Sequence, residues 1–325
     1  MILLAIILLI ILLASWYAYA ITFFSPRHSR PTPDISMEGE QYEAVADHIR
    51  RICSIMQRYP YEKVSIRSFD GTKLYGRYYH QIDGAPIEVL FHGYRSHAYR
   101  DCCGGHALSH KMGFNALVVD QRALGASEGH TITFGIKERK DCLCWVHYLT
   151  DRFGSNTPII LSGLSMGAAT VLMSTNLNLP RNVACIIADS PYSAPIAIIE
   201  KVCKDKKYPV ALCKPFVYLG ALIYGGFNLS SCTAKEAVKN CRIPVLLIHG
   251  EEDRLVPWEM GMEIASSCGS RVEFVSFPRA GHGLSYLIDP IRYEAVICKF
   301  LQSVPSVRES IRPEYIQELN QNMNG

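Results

Sequence analysis

Six short apolar runs most constrain how this chain can fold. They lie at Ile87–Phe91, 116–119, 159–161, 185–188, 245–248 and, less purely, Val272–Phe277. Runs of this length fit strands covered on both faces, the condition of a parallel sheet. Between most of them lie segments of helical length, such as 134–153 and 166–177. Ahead of them, 64–69 and 74–80 flank Asp70-Gly71, a hairpin turn signal. The pattern predicts an α/β fold, a mostly parallel sheet with helices on both faces, led by antiparallel hairpin strands. One interval breaks the alternation. Between Asp189 and Ile243 only helical, Pro-bearing segments occur (196–202 and 216–227), which predicts a helical lid insertion over about 190–242.

Residues 1–24 carry no charged side chain and are dominated by Leu and Ile. A helix crossing the hydrocarbon core needs about 20 such residues. A cleaved signal peptide is the alternative, but a basic start and a clear small-residue cleavage site are not evident. Trp16, Tyr17 and Tyr19 suit an interface belt, and Arg27, His28 and Arg30 follow at once, so the run is read as a transmembrane anchor with the catalytic bulk on the cytoplasmic side. The 12 scattered cysteines agree with a reducing compartment. A linker over 25–40 then leads into a domain over 41–302, which opens on an amphipathic helix carrying Tyr42, Val45, Ile49, Ile52 and Met56. A polar tail over 303–325 closes the chain. With a net charge of +3 and no Lys/Arg block, the sequence offers nucleic acid no electrostatic footprint.

The chemistry concentrates in Gly163-Leu164-Ser165-Met166-Gly167, which follows the run at 159–161 and opens a helical segment. A serine on a tight strand-to-helix turn needs small neighbours two positions to either side, and Gly163 and Gly167 supply them. Ser165 is therefore read as a nucleophile. Such a serine needs a base and an orienting carboxylate, in the chain order Ser, acid, His. His282, in Arg279-Ala280-Gly281-His282-Gly283, is the candidate base; His249, at the end of its strand, is read as structural. Asp253 is the candidate acid, with Glu251 and Glu252 as solvated neighbours and Asp189 as the competitor one strand earlier. The backbone N–H groups of Tyr94 and Met166 are the candidate oxyanion donors.

These residues amount to a resemblance. His92-Gly93 after the third strand, Asp120-Gln121-Arg122-Ala123-Leu124-Gly125-Ala126-Ser127 after the fourth, and the serine turn itself resemble the α/β-hydrolase family over roughly 64–301. Within it, the chain is similar to single-span serine hydrolases of the serine aminopeptidase-like and monoacylglycerol lipase-like group. Ala123 stands where that family has a glycine. The resemblance implies acyl transfer to water with no metal or other cofactor, and leaves the substrate open.

Other clusters weigh less. Cys102, Cys103, His106 and His110 make a conceivable zinc face, but no second Cys/His cluster lies near them in sequence. Ser190-Pro191-Tyr192 reads equally as pocket lining or as the turn that starts the lid. Anchor, lid and triad together predict a small, lipophilic carboxylic ester as substrate. A serine peptidase or amidase, and an anchored binding protein that has lost catalysis, remain as alternatives.

Overall fold

A computed structural model describes residues 1–26 and 40–324. An eight-stranded sheet of order β1-β2-β4-β3-β5-β6-β7-β8 forms the frame. Strands β1 (Glu62–Arg67) and β2 (Lys73–Tyr79) pair antiparallel around the Asp70-Gly71 turn, and β2 pairs antiparallel with β4 (Asn115–Asp120). From there β3 (Ile87–Phe91), β5 (Ile159–Leu164), β6 (Val183–Asp189), β7 (Val245–Gly250) and β8 (Val272–Phe277) run parallel. The strands β3, β4 and β7 are buried along their whole length, the consequence of helices on both faces.

Helix α1 (Ile2–Thr22) is followed by α2 (Glu40–Glu43) and α3 (Ala46–Arg58), so the helix expected from Tyr42 to Met56 is broken at Ala44 and Val45. Helices α4 (Ala98–Met112), α5 (Glu138–Phe153) and α6 (Met166–Met173) alternate with the central strands. After β6 come α7 (Pro195–Asp205), α8 (Val210–Ile223) and α9 (Ala234–Ala237), in the interval read as strandless. Helices α10 (Trp258–Ser267), α11 (Ser285–Ile288) and α12 (Pro290–Gln302) accompany the last strands.

Three local outcomes depart from the sequence pattern. The helix expected from Phe134 begins at Glu138, because Phe134 and Gly135 adopt left-handed φ of 52° and 90°. The Glu138 carboxylate accepts the N–H groups of Thr133 (2.8 Å) and Gly135 (2.9 Å), holding an irregular turn in place of a helical one. Secondly, within the segment read as a polar tail, residues 303–324 are helical for most of their length. They form α13 (Pro305–Arg308) and α14 (Pro313–Asn324), and Val307, Ile311, Tyr315 and Leu319 are buried in the same apolar cluster as Phe300 and Phe277. Polar overall, the segment still repeats an apolar residue every four positions, enough to dock one face. Thirdly, the run 87–91 hides a carboxyl. Glu88 is buried in β3 and accepts from Ser109 and Ser162. Burial raises its pKa. Of the linker expected over 25–40, residues 27–39 lie outside the described residues.

Helix α1 is apolar and long enough to cross a membrane, with most of its surface exposed. Its C-terminal end is different. Ser15, Ala18 and Tyr19 are buried, Phe23 just beyond it is fully so, and the Phe23 ring meets Phe134 and Phe227 edge-on at 5.8 and 5.2 Å. Ser25 N–H donates to the His130 carbonyl and Ile132 N–H to that of Phe23, both at 2.8 Å, tying the helix exit to the loop after β4.

Candidate active site

Ser165 sits between β5 and α6 with φ 57° and ψ −114°, a conformation that an L-residue adopts only where its surroundings enforce it. Those surroundings are tight. A Cβ at Gly163 would fall on the Gly167 backbone, and one at Gly167 on the Phe91 carbonyl of β3. The turn thus exists because both flanking residues lack side chains, and the Ser165 N–H is held by the Asp189 carbonyl at 2.8 Å. Met166, the first residue of α6, is buried directly after it.

Against this turn lies the loop after β3. Gly93 approaches Ser165 so closely that a Cβ would stand 3.5 Å from the serine Cβ. His92, fully buried, accepts the Gln121 N–H on Nε2 at 3.1 Å, so its Nδ1 carries the proton and donates to the Gly93 carbonyl at 3.0 Å. Burial lowers its pKa and keeps the ring neutral. The Gly93 N–H donates to Asp101 Oδ2 at 2.8 Å, so α4 also fixes the loop. Asp101 was passed over in the sequence beside the more conspicuous Cys102 and Cys103. Tyr94 lines the same cavity as Ser165, and its hydroxyl donates to the Thr22 carbonyl of α1 at 2.7 Å. Arg95 donates to the carbonyls of Ile21 and Phe24, both at 3.0 Å, capping the end of the same helix.

His282 and Asp253 meet on the far side. His282 Nδ1 lies 2.7 Å from Asp253 Oδ2, and the other oxygen, Oδ1, accepts the N–H groups of Leu255 (3.0 Å) and Val256 (2.8 Å). Burial works against the Asp253 charge, but His282 and hydrogen bonds from His249, His282 and Val256 outweigh it and hold the carboxyl well below the usual range. For His282, burial disfavours the imidazolium; the Asp253 charge and hydrogen bond, with Asp189 and Asp101 farther off, more than offset this and raise its pKa. His249 is fully buried, with Nε2 2.8 Å from the Val256 carbonyl and 3.5 Å from Asp253 Oδ2, and so buttresses the acid loop.

The competitor Asp189 is engaged elsewhere. Its oxygens accept Ser190 Oγ at 2.9 Å and Tyr293 Oη at 3.1 Å, and burial raises its pKa. Ser190 and Tyr192 are buried in a turn that holds the His282 loop: the Gly283 N–H reaches Ser190 Oγ at 3.4 Å. A second support comes from the N-terminal side, where Tyr42 Oη donates to the His282 carbonyl at 3.0 Å. Nothing in the sequence pairs residues 240 positions apart, and Tyr42 reads there only as one residue of an apolar helix face.

Two cavities meet at Ser165. One, of about 330 Å³, is walled by Ile198, Ile199 and Val202 of α7, by Phe134, and by Tyr17 and Ile21 of α1. The other, of about 220 Å³, is shared with His282 and lined by Tyr42, Ser96, Arg100 and Asp101. The first suits an apolar chain, the second a polar group. Among the described residues no cluster of three or more His, Cys, Asp or Glu residues is placed to hold a metal, the 102–110 group included.

Comparison with known proteins follows this geometry. The model of the prolyl oligopeptidase family matches residues 128–305. The chain is 25% identical to the protein bem46 of Schizosaccharomyces pombe over 246 residues, covering 74% of this chain and 76% of that one. It is 23% identical to the Bacillus subtilis protein YqkD over 195 residues, 59% of this chain and 64% of that one. Among solved structures, the Pyrococcus furiosus esterase Pf2001 superposes with a TM-score of 0.63 at 23% identity, over 85% of this chain and 98% of that one. The shared fold is that of the α/β-hydrolases.

Proposed function

The chain belongs to the prolyl oligopeptidase family, and we propose that it is a membrane-tethered serine hydrolase that cleaves a lipophilic carboxylic ester through Ser165, His282 and Asp253. The observation that carries this reading is the pair of cavities meeting at Ser165, with His282 held to Asp253 beside it.

With Nδ1 committed to Asp253, Nε2 of His282 is the nitrogen left to take the Ser165 proton. Ser165 Oγ attacks the ester carbonyl, and the N–H groups of Tyr94 and Met166 stabilise the oxyanion. The imidazolium returns its proton to the leaving alcohol as the acyl-enzyme forms. Water, deprotonated by the same ring, then releases the acid and restores Ser165. The raised pKa of His282 suits this shuttle, since Asp253 stabilises the imidazolium as it forms.

The family's name is a peptidase's, which gives the amide reading its footing. Against it, among the described residues the larger cavity is lined by Arg95 and Lys206 and by no carboxylate that would hold a peptide amine. The length and apolar character of helix α1 support the tether, and the basic residues Arg27 and Arg30 of the sequence support a cytoplasmic domain.

The test uses full-length protein in detergent. A fluorophosphonate labels the parent at Ser165, and p-nitrophenyl butyrate is hydrolysed faster than aminoacyl p-nitroanilides. Ser165→Ala loses both the label and about 10⁴-fold or more in kcat. Equal ester turnover by parent and variant overturns the assignment; preference for the anilides moves it to the peptidase reading.

A further inference from the structure

Helix α8 carries one charge, Lys214, in fourteen residues and is otherwise apolar round its circumference. Such a helix is stable only when apolar surroundings enclose it. One side is enclosed by α1. At Gly220 the two backbones approach so closely that a Cβ would stand 2.6 Å from the Ser15 carbonyl oxygen and 3.1 Å from Tyr19 Cβ, and Tyr224 Oη donates to the Leu12 carbonyl at 3.0 Å. Since Gly220 meets 15–19 and Tyr224 meets 12, the helices run antiparallel. At its C-terminal end the other side of α8 is open: Leu222 and Ile223 are 60 and 48% exposed. An apolar patch of this kind marks an interaction surface.

We propose that the C-terminal end of α8 enters the membrane together with α1, and that the partner of the α7–α8 face is a bilayer leaflet bearing anionic headgroups. The proposal rests on α1 being the membrane anchor. Side chains that touch α1 share its depth, so Leu222, Ile223 and Tyr224 lie level with Leu12, among acyl chains. The cavity beside Ser165 opens higher up, between Tyr17 and Ile21 of α1 and Lys206 and Tyr208 of the α7–α8 connection. Trp16 and Tyr17, more than half exposed, mark the headgroup level there. Lys206, which lines that opening, and its neighbours Lys204 and Lys207 are exposed, while Asp205 is taken by Lys201. Lysines at this opening are placed for anionic headgroups. The ester therefore reaches Ser165 laterally from the leaflet, its apolar part never crossing water.

Full-length protein in phosphatidylcholine vesicles, with and without phosphatidylglycerol, tests this by photolabelling from a diazirine-bearing acyl chain and peptide mapping. Label in both α1 and the 217–227 region is the expected result, and label confined to α1 overturns the proposal. This readout needs no catalysis, so it stands even if the esterase reading fails. The double variant L222D/I223D should lose about tenfold in hydrolysis of a vesicle-dissolved acyl ester and keep p-nitrophenyl acetate turnover; equal loss on both, or on neither, counts against lateral entry. The K204Q/K206Q/K207Q variant should abolish any gain in α8 labelling from phosphatidylglycerol, and a gain that survives it refutes the headgroup contact.

Discussion

Replacing Asp253 with Asn tests the site where its geometry is most specific. The two carboxylate oxygens have unequal duties. Oδ1 accepts two backbone N–H groups, from Leu255 and Val256, and Oδ2 faces His282 Nδ1 at 2.7 Å. An asparagine must keep its carbonyl on the backbone side, since an NH₂ there would face two donors in a buried site. Its NH₂ is thereby aimed at Nδ1. The imidazole can meet that donor only as an acceptor, which moves its proton to Nε2, the position that must be free to take the Ser165 proton. Inverting the tautomer in this way in a triad costs about 10⁴-fold in kcat, or about 5 kcal/mol of transition-state stabilisation. The assay is kcat on p-nitrophenyl butyrate for parent, Asp253→Asn and Asp189→Asn in the same detergent, with melting temperatures as a check on folding. Loss of less than tenfold in a folded Asp253→Asn refutes the argument. If Asp189→Asn instead takes the large loss, the acid lies one strand earlier.

Two further outcomes follow from the same site. Since the pKa of His282 is raised and catalysis needs the neutral ring, the acidic limb of kcat/KM should have its midpoint above the 6.5 of an ordinary imidazole, with activity rising as pH increases; a midpoint below that value contradicts the electrostatic reading. Gly167→Ala forces a Cβ onto the Phe91 carbonyl, so β3 and α6 must separate; at about 10²-fold per ångström of misplacement, the folded fraction should lose at least that much activity, and parental turnover would show the elbow to be slack.

The sheet was legible in the sequence because its central strands are covered on both faces, which turns alternation into apolar runs. Ser165 and His282 stand out as candidates for a related reason: each follows a strand end and has nearby glycines that tight loops require. What escaped was long-range or locally irregular. The Tyr42 hydroxyl reaches the His282 carbonyl, and Asp101 reaches the Gly93 N–H, through packing that no sequence spacing encodes. The start of α5 is not legible because Phe134 keeps the apolar periodicity while its backbone leaves the helix. In the C-terminal segment, the polar majority masked the four-residue spacing of Ile311, Tyr315 and Leu319.

The burial of Phe23 bears on how such an enzyme is handled. Cutting the chain after its apolar run, the usual route to a soluble preparation, would remove more than a tether. Losing a fully buried phenylalanine from between Phe134 and Phe227 costs about 3–5 kcal/mol, a large share of the 5–15 that typically holds a domain together. The Tyr94 hydroxyl and the Arg95 guanidinium would lose their acceptors, at and next to the proposed oxyanion donor Tyr94. A truncated preparation that turned out inactive would therefore report a damaged pocket wall, and its silence would say nothing about Ser165.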